Sequence, residues 1–297
     1  MTSLLASDSK VWGRAEAQDF CRRLAQSHYE NFTVGSRLLP RDKRQHVYNL
    51  YAYSRTVDDL GDEAKGDRAD LLDLWQQDLE RCYTATPRHP VMVALQETIH
   101  AFNIPRTPFQ KLIAANQMDQ ETKRYPTLRE LVHYCDHSAN PCGRLFLYVF
   151  GYRDEELHRL ADQTCTALQL TNFWQDVTRD YAMGRIYIPL EHMALHGYTE
   201  AELGRREVNQ QFRGLMAFEV DLTRQMFRTG LKLLDRVSGP ARSDIALFSR
   251  GGLAVLDAIE KQDYDVLGQR PHLSKFQKGR LFLSTWINMK MGRGIRV

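Results

Sequence analysis

The chain has no long hydrophobic run, no paired-cysteine spacing and almost no charge imbalance, and each absence excludes a class of protein. Its longest apolar stretch, residues 145–151, falls far short of the ~20 residues needed to span a bilayer. The opening MTSLLASDSKVW lacks a charged region followed by an apolar one, so nothing there reads as a secretory leader. Five cysteines (Cys21, Cys82, Cys135, Cys142, Cys165) form an odd number with no CxxC, which argues against a disulfide framework and against a structural zinc site. Basic and acidic residues nearly cancel, 40 against 37, so net charge gives no basis for nucleic-acid binding. Glycine and proline are too few, 18 and 10 of 297 residues, for a collagen-like or disordered chain. The expectation is a cytoplasmic protein, soluble or peripheral to a membrane.

What is present is helical periodicity. Apolar residues recur at three- and four-residue spacing, as in Leu71, Leu74, Trp75, Leu79 and Cys82, then in Val93, Leu95, Ile99 and Phe102, the pattern of amphipathic helices. Breaks fall at prolines and glycines, at Pro40, Pro87, Pro90, Pro105, Pro108, Pro126 and the Gly239-Pro240 pair, where helix-stop chemistry puts them. The pattern predicts eight to ten helices of ordinary length. Only Arg185-Ile-Tyr-Ile-Pro189 looks strand-like, and it is short enough to be an extended linker. With no repeat or long linker, the reading is a single all-α domain over residues 13–297, residues 1–12 being set aside as a disordered terminus.

Two acidic segments carry the chemistry. In Arg55-Thr-Val-Asp-Asp-Leu-Gly-Asp-Glu63, Asp58 and Asp62 are four apart. On a helix they share a face at about 6 Å, where they repel unless a cation lies between them. A solvated, fraying helix end, with Gly61 weakening the last turn, explains that segment as well. The second segment is better patterned: Asn172, Asp176 and Asp180 are spaced by four twice and line one strip of helix, with Gln169 a turn ahead. Apolar neighbours Leu168, Phe173 and Trp174 suggest that this strip faces a cavity, and an unpaired buried carboxylate would be expensive in a core. Oxygen donors without clustered His or Cys favour a hard cation, Mg²⁺ before Mn²⁺ or Ca²⁺. Such an ion completes its shell with phosphate oxygens, which points to a diphosphate substrate. A departing diphosphate stabilised in this way leaves a carbocation, for which Tyr51, Tyr53, Phe146, Tyr148, Phe150, Phe173, Trp174, Phe248 and Trp286 are candidate walls, although core packing is the simpler account of each.

These motifs occur together with His28-Tyr-Glu-Asn-Phe32, Leu38-Leu-Pro40, Leu50-Tyr-Ala-Tyr-Ser-Arg-Thr-Val-Asp-Asp59, Tyr134 ahead of a small-residue stretch ending at Gly143, and Gly184-Arg-Ile-Tyr-Ile-Pro189. Over residues 20–285 the chain resembles the squalene/phytoene synthase family. The resemblance implies an all-α isoprenoid-synthase fold with helices around a central cavity capped by the two aspartate-rich helices. It makes Asp58, Asp62, Asn172 and Asp176 magnesium ligands, with Asp59 and Asp180 in direct or outer support. It puts His28, Arg55, Arg185 and Arg270 on diphosphate oxygens, Phe32, Tyr51, Gln169 and Tyr187 along the substrate, and Tyr134 near the developing charge.

The departures from the family pattern are as informative. Where Val-Ala-Gly-x-x-Gly is usual, the chain reads Ser138-Ala-Asn-Pro-Cys-Gly143, and Gln175 replaces the arginine usual before the first aspartate of the second motif. Pro141 must break or kink its helix. These features resemble the hydroxysqualene synthase branch of the hopanoid pathway, which implies ionisation of presqualene diphosphate with Mg²⁺, rearrangement and water capture, without NADPH. Ser138 and Asn140 are the candidates for ordering that water, and a purely steric effect of the replacement is the alternative. Loss of the arginine at Gln175 fits the handling of one diphosphate instead of two. Rival readings are head-to-head condensation of two prenyl diphosphates and a non-catalytic assembly factor of the same fold. Other enzymes of the squalene pathway are the expected partners. Residues 279–291, read as an amphipathic helix with Arg280 and Lys290 and with Arg293 beyond, suit contact with an anionic membrane surface, although a solvated helix face explains them more simply.

Overall fold

The 22-residue helix that carries the first acidic motif shows how this chain builds its scaffold. In the computed structural model, which describes residues 11–27, 39–64, 66–274, 276–277, 279–281 and 283–284, it runs from Arg41 to Asp62 directly after Pro40. Val47, Leu50, Tyr53, Val57 and Leu60 face inward, the three- and four-residue spacing of one apolar stripe. Twelve α-helices lie among the described residues: α1 (Arg14–Ser27), α2 (Arg41–Asp62), α3 (Arg68–Thr84), α4 (Pro90–Phe102), α5 (Thr107–Glu121), α6 (Leu128–Ser138), α7 (Asn140–Val149), α8 (Glu155–Ala182), α9 (Leu190–Leu195), α10 (Glu200–Gly204), α11 (Gln210–Gly230) and α12 (Gly239–Lys261). Two of these, α9 and α10, are short pieces of six and five residues; the rest agree with the count expected from periodicity. His28, Phe32 and Trp286, and the expectation for residues 1–10, lie outside the described residues.

The helix starts follow local chemistry. Asp67 caps α3 by accepting from the amides of Ala69 and Asp70, His89 Nδ1 accepts from Val91 N just ahead of α4, which Pro90 opens, and Thr127 with Glu130 forms a complete capping box on α6; the three caps satisfy amides that have no helical partner. Pro141 acts as expected of it: α6 stops at Ser138 and a new helix begins at Asn140, so the proline occupies a first turn, where its missing N–H loses nothing.

The chain divides into two compact units, and neither is one continuous stretch: residues 1–121 with 141–158, and residues 122–140 with 159–297. In the first, α2 packs on α1, α3, α4 and α5 around Tyr53, Trp75, Met92, Leu95 and Phe109. Burial of such side chains contributes about 1.5–3 kcal/mol each. In the second unit α8 lies on α11 and α12. Trp174 Nε1 donates to Thr223 Oγ1 at 2.8 Å, and a Cβ at Gly252 would strike Phe227 and Leu168, so glycine is what lets α12 approach so closely. The segment expected to be an extended linker is one. Ile186 pairs with Arg124 in an isolated parallel bridge, its amide donating to Lys123 O at 2.9 Å. Among the described residues, no helix is long and apolar enough to cross a membrane.

Candidate active site

In the first unit, one helical row presents the acidic motif. Asp58 and Asp62 are exposed, while Asp59, 100° further round the helix, is buried and paired with Arg55 at 2.5 Å. Asp58 presents accessible surface, yet the protein around it removes enough water to push its carboxyl up to about 6, with Asp62 and Asp59 adding to the rise and Asn116 and Arg55 opposing it. Asn116 Nδ2 holds Asp58 Oδ1 at 3.2 Å, and Gln120 Nε2 donates to Gly61 O at 3.0 Å. Gly61 is not a fraying terminus: it is buried, and a Cβ there would collide with the Asn116 side chain. The glycine therefore lets α5 close on α2 and bring Asn116 to Asp58. Burial likewise raises Tyr51 above its ordinary range. Cys142 keeps exposed surface beside Asp58, but protein crowded around its sulfur, together with that carboxylate, pushes the thiol up to about 11.

The second unit carries the other row. Asn172 is exposed, and Asp176 and Asp180 are half-buried. Arg270 forks onto Asp176, Nε to Oδ1 at 2.5 Å and Nη2 to Oδ2 at 3.0 Å. Burial, reinforced by Asp176, pushes the Asp180 carboxyl up to about 7 against the pull of Arg185, Arg179 and Arg270. The helix ends just past this row because Gly184 adopts a left-handed φ of 79°. Arg185 N bonds Asp180 O at 2.9 Å and Gly184 N bonds Tyr181 O at 2.9 Å, the paired pattern of a Schellman stop. That reversal carries Arg185 and Tyr187 back past the acidic row. Tyr187 stacks on Phe173 with ring centres 3.8 Å apart, and Tyr134 and Tyr125 complete an aromatic cluster with Tyr187 at 6.0 and 5.7 Å. A small recess lies there, lined by Phe173, Val177, Asp180, Arg185, Tyr187 and Leu203.

Ser138 and Asn140 bracket the helix break. Asn140 is buried, and its Oδ1 accepts from Thr166 Oγ1 at 2.9 Å; the Ser138 hydroxyl is buried without a partner. Gln169 is half-buried on α8. Tyr53 and Trp174, candidate walls, are instead fully buried core residues whose polar atoms are spent on Phe109 O and Thr223. Reasoning from sequence missed Asn116, Gln120, Tyr125 and Thr166. The four-residue spacing of Asn116 and Gln120 was a visible signal for that pair; nothing local marked the other two.

All these donors are oxygens, and within each row carboxylates crowd one another, so the set fits a hard divalent cation. Among the described residues, however, no three acidic, histidine or cysteine groups converge as a preformed centre. Asp176 is engaged by Arg270 and Asp59 by Arg55.

The model of the family described as squalene/phytoene synthase matches residues 25–277. The chain belongs to that family. Among curated family members, phytoene synthase of Arthrospira platensis is 32% identical over 284 residues, covering 89% of this chain and 91% of that one. The 15-cis-phytoene synthase of Synechococcus elongatus is 29% identical, with 89% and 90% covered. Among solved structures, squalene synthase HpnC from Alicyclobacillus acidocaldarius is 43% identical with a TM-score of 0.82, covering 84% of this chain and 94% of that chain. A dehydrosqualene synthase solved with a ligand is 25% identical with a TM-score of 0.84, covering 94% and 98%. The fold is thus the all-α isoprenoid-synthase fold expected from sequence, and the family's enzymes act on prenyl diphosphates.

Proposed function

We propose that this protein ionises presqualene diphosphate and delivers water to the rearranged cation, releasing hydroxysqualene and diphosphate. The observation that carries the reading is the end of α6 at Ser138, with a buried Asn140 amide fixed by Thr166, in the unit that also holds the aromatic cluster and the second acidic row. With Oδ1 accepting from Thr166, the Asn140 amide would use Nδ2 to donate to water. A residue of the Val-Ala-Gly type at this position would offer no such donor and would leave the cation to proton loss or reduction. The 43% identity to the HpnC structure supports the same branch.

Asp58, Asp62, Asn172, Asp176 and Asp180 are the proposed metal ligands, with Asp59 in outer support through Arg55. Bound Mg²⁺ would supply Lewis-acid stabilisation of the departing diphosphate. Arg55, Arg185 and Arg270 bind diphosphate oxygens, as does His28. Phe32, Tyr51 and Gln169 contact the substrate chain. The faces of Phe173 and Tyr187, with Tyr134 beside them, would offer negative quadrupoles to positive charge, and the Tyr134 hydroxyl is the proposed group to exchange a proton with the leaving group.

The test supplies presqualene diphosphate in one reaction and farnesyl diphosphate in another, with Mg²⁺ and without NADPH, and identifies products by mass spectrometry. A C30 alcohol from the first alone is expected. Asn140→Ala should lower the share of alcohol, and an unchanged product mixture refutes the water-ordering role. A second reading, head-to-head condensation of two prenyl diphosphates, has the cyanobacterial phytoene synthase relatives in its favour; it requires consumption of farnesyl or geranylgeranyl diphosphate.

A further inference from the structure

The residue at 175, where the chain departs from the family pattern, has a structural role. Beyond α12 the chain runs back along α8 as a strap. Its body is fastened by burial of Val266 and Leu267, by Thr178 Oγ1 donating to Leu267 O at 3.3 Å, and by Arg213 bound to Asp263. Its tip is tied at two points. The Gln175 side-chain amide donates to Pro271 O, and the neighbouring Arg270 forks onto Asp176. Gln175 and Asp176 are adjacent on α8, and Arg270 and Pro271 are adjacent on the strap, so the two attachments form one clasp.

We propose that Gln175 is a positioning residue that holds Arg270 against Asp176 as an internal counter-cation, so that the metal-free site is latched and a divalent ion must displace Arg270 to reach Asp176. This rests on the reading of Asp176 as a metal ligand. Both Asp176 oxygens are taken by the guanidinium, in the bidentate geometry that makes Arg–carboxylate pairs strong. Half of the Arg270 side chain is exposed, so it is free to swing away. Once released, its guanidinium is available to the diphosphate that arrives with the metal. The latch therefore disfavours metal binding without substrate and favours the two together. A glutamine suits this role better than an arginine: its amide ties the strap by a neutral hydrogen bond, whereas a second guanidinium would compete with Arg270 for the same carboxylate.

The experiment measures Mn²⁺ binding by electron paramagnetic resonance on the full-length protein with no diphosphate present. Wild type, Gln175→Ala, Arg270→Gln, the double variant and Asp176→Asn are compared, with circular dichroism confirming that each is folded. Arg270→Gln is expected to bind Mn²⁺ at least about tenfold tighter, the factor that corresponds to 1.4 kcal/mol of lost competition. Gln175→Ala, which changes no charge, should tighten binding severalfold, and the double variant should bind no tighter than Arg270→Gln alone. If Gln175→Ala binds as wild type does while Arg270→Gln tightens, the effect is only the field of the arginine and the clasp is refuted. If neither variant tightens binding while Asp176→Asn weakens it, Asp176 is a ligand without a latch. If Asp176→Asn binds as wild type does, the metal-ligand reading itself fails.

Discussion

Asp244, on α12, is 2% exposed, and neither carboxylate oxygen has a hydrogen-bond partner. Burial alone pushes its carboxyl from the ordinary 3.8 up to about 7, with no neighbouring charge contributing. Because the folded value lies above the unfolded one, the unfolded chain holds fewer protons between pH 3.8 and pH 7, and stability falls as pH rises through that window. The linkage relation makes the penalty about 2 kcal/mol at pH 5 and about 4 kcal/mol at pH 8, with a plateau above pH 8. Asp244→Asn removes the titration while keeping the shape. The amide carries its own desolvation cost, roughly 1–3 kcal/mol, but that offset does not vary with pH. The stability of the variant relative to wild type should therefore grow by about 2–3 kcal/mol between pH 5 and pH 8. Urea denaturation of both proteins at pH 5, 6, 7 and 8, with unchanged m-values, measures this directly. Parallel stability curves for the two proteins would refute the reasoning, since they would mean that Asp244 titrates alike in the folded and unfolded chains.

Three further perturbations test the local arguments. Gly61→Ala places a methyl group against Asn116 and should destabilise by about 1–3 kcal/mol in thermal or chemical denaturation; it should also weaken Mn²⁺ binding by displacing the Asn116 contact to Asp58, and unchanged binding would show that contact to be unimportant. Gly184→Ala forces a side chain into a left-handed turn at φ 79° and should cost about 1–2 kcal/mol, with a fall in kcat greater than that caused by Met183→Ala, because only the former moves Arg185 and Tyr187. His192 Nδ1 meets the fully buried Glu219 at 2.7 Å, so His192→Ala leaves that carboxylate unpaired and should cost about 3–5 kcal/mol. The double variant with Glu219→Leu should recover most of the loss, and a double variant less stable than His192→Ala would contradict the ion-pair account.

Much of this protein was legible in sequence because helical periodicity and four-residue spacing are local. The prolines and glycines marked the helix ends, Pro141 forced a break where one is found, and the rows Asp58/Asp62 and Asn172/Asp176/Asp180 followed from 3.6 residues per turn. Family resemblance then supplied roles for Tyr134, Arg185 and Tyr187, and the structure brings Tyr134 and Tyr187 into one aromatic cluster. Tyr53 and Trp174 show the limit of residue type as evidence: an aromatic ring suits a cavity wall and a core equally, and only burial distinguishes them.

Partnership was not legible, because it depends on residues distant in sequence. That Gly61 serves Asn116, 55 positions later, that Thr166 fixes Asn140, and that Gln175 and Asp176 clasp a strap nearly a hundred residues further on were decided by how helices pack. The amino-acid sequence by itself determined the helices, their ends and which face of each carries acid, since these depend on interactions within a turn or two of chain. Tertiary structure decided which carboxylates are exposed, which are held by arginine and which are raised by burial, since those properties belong to a side chain's surroundings and are absent until the chain has folded.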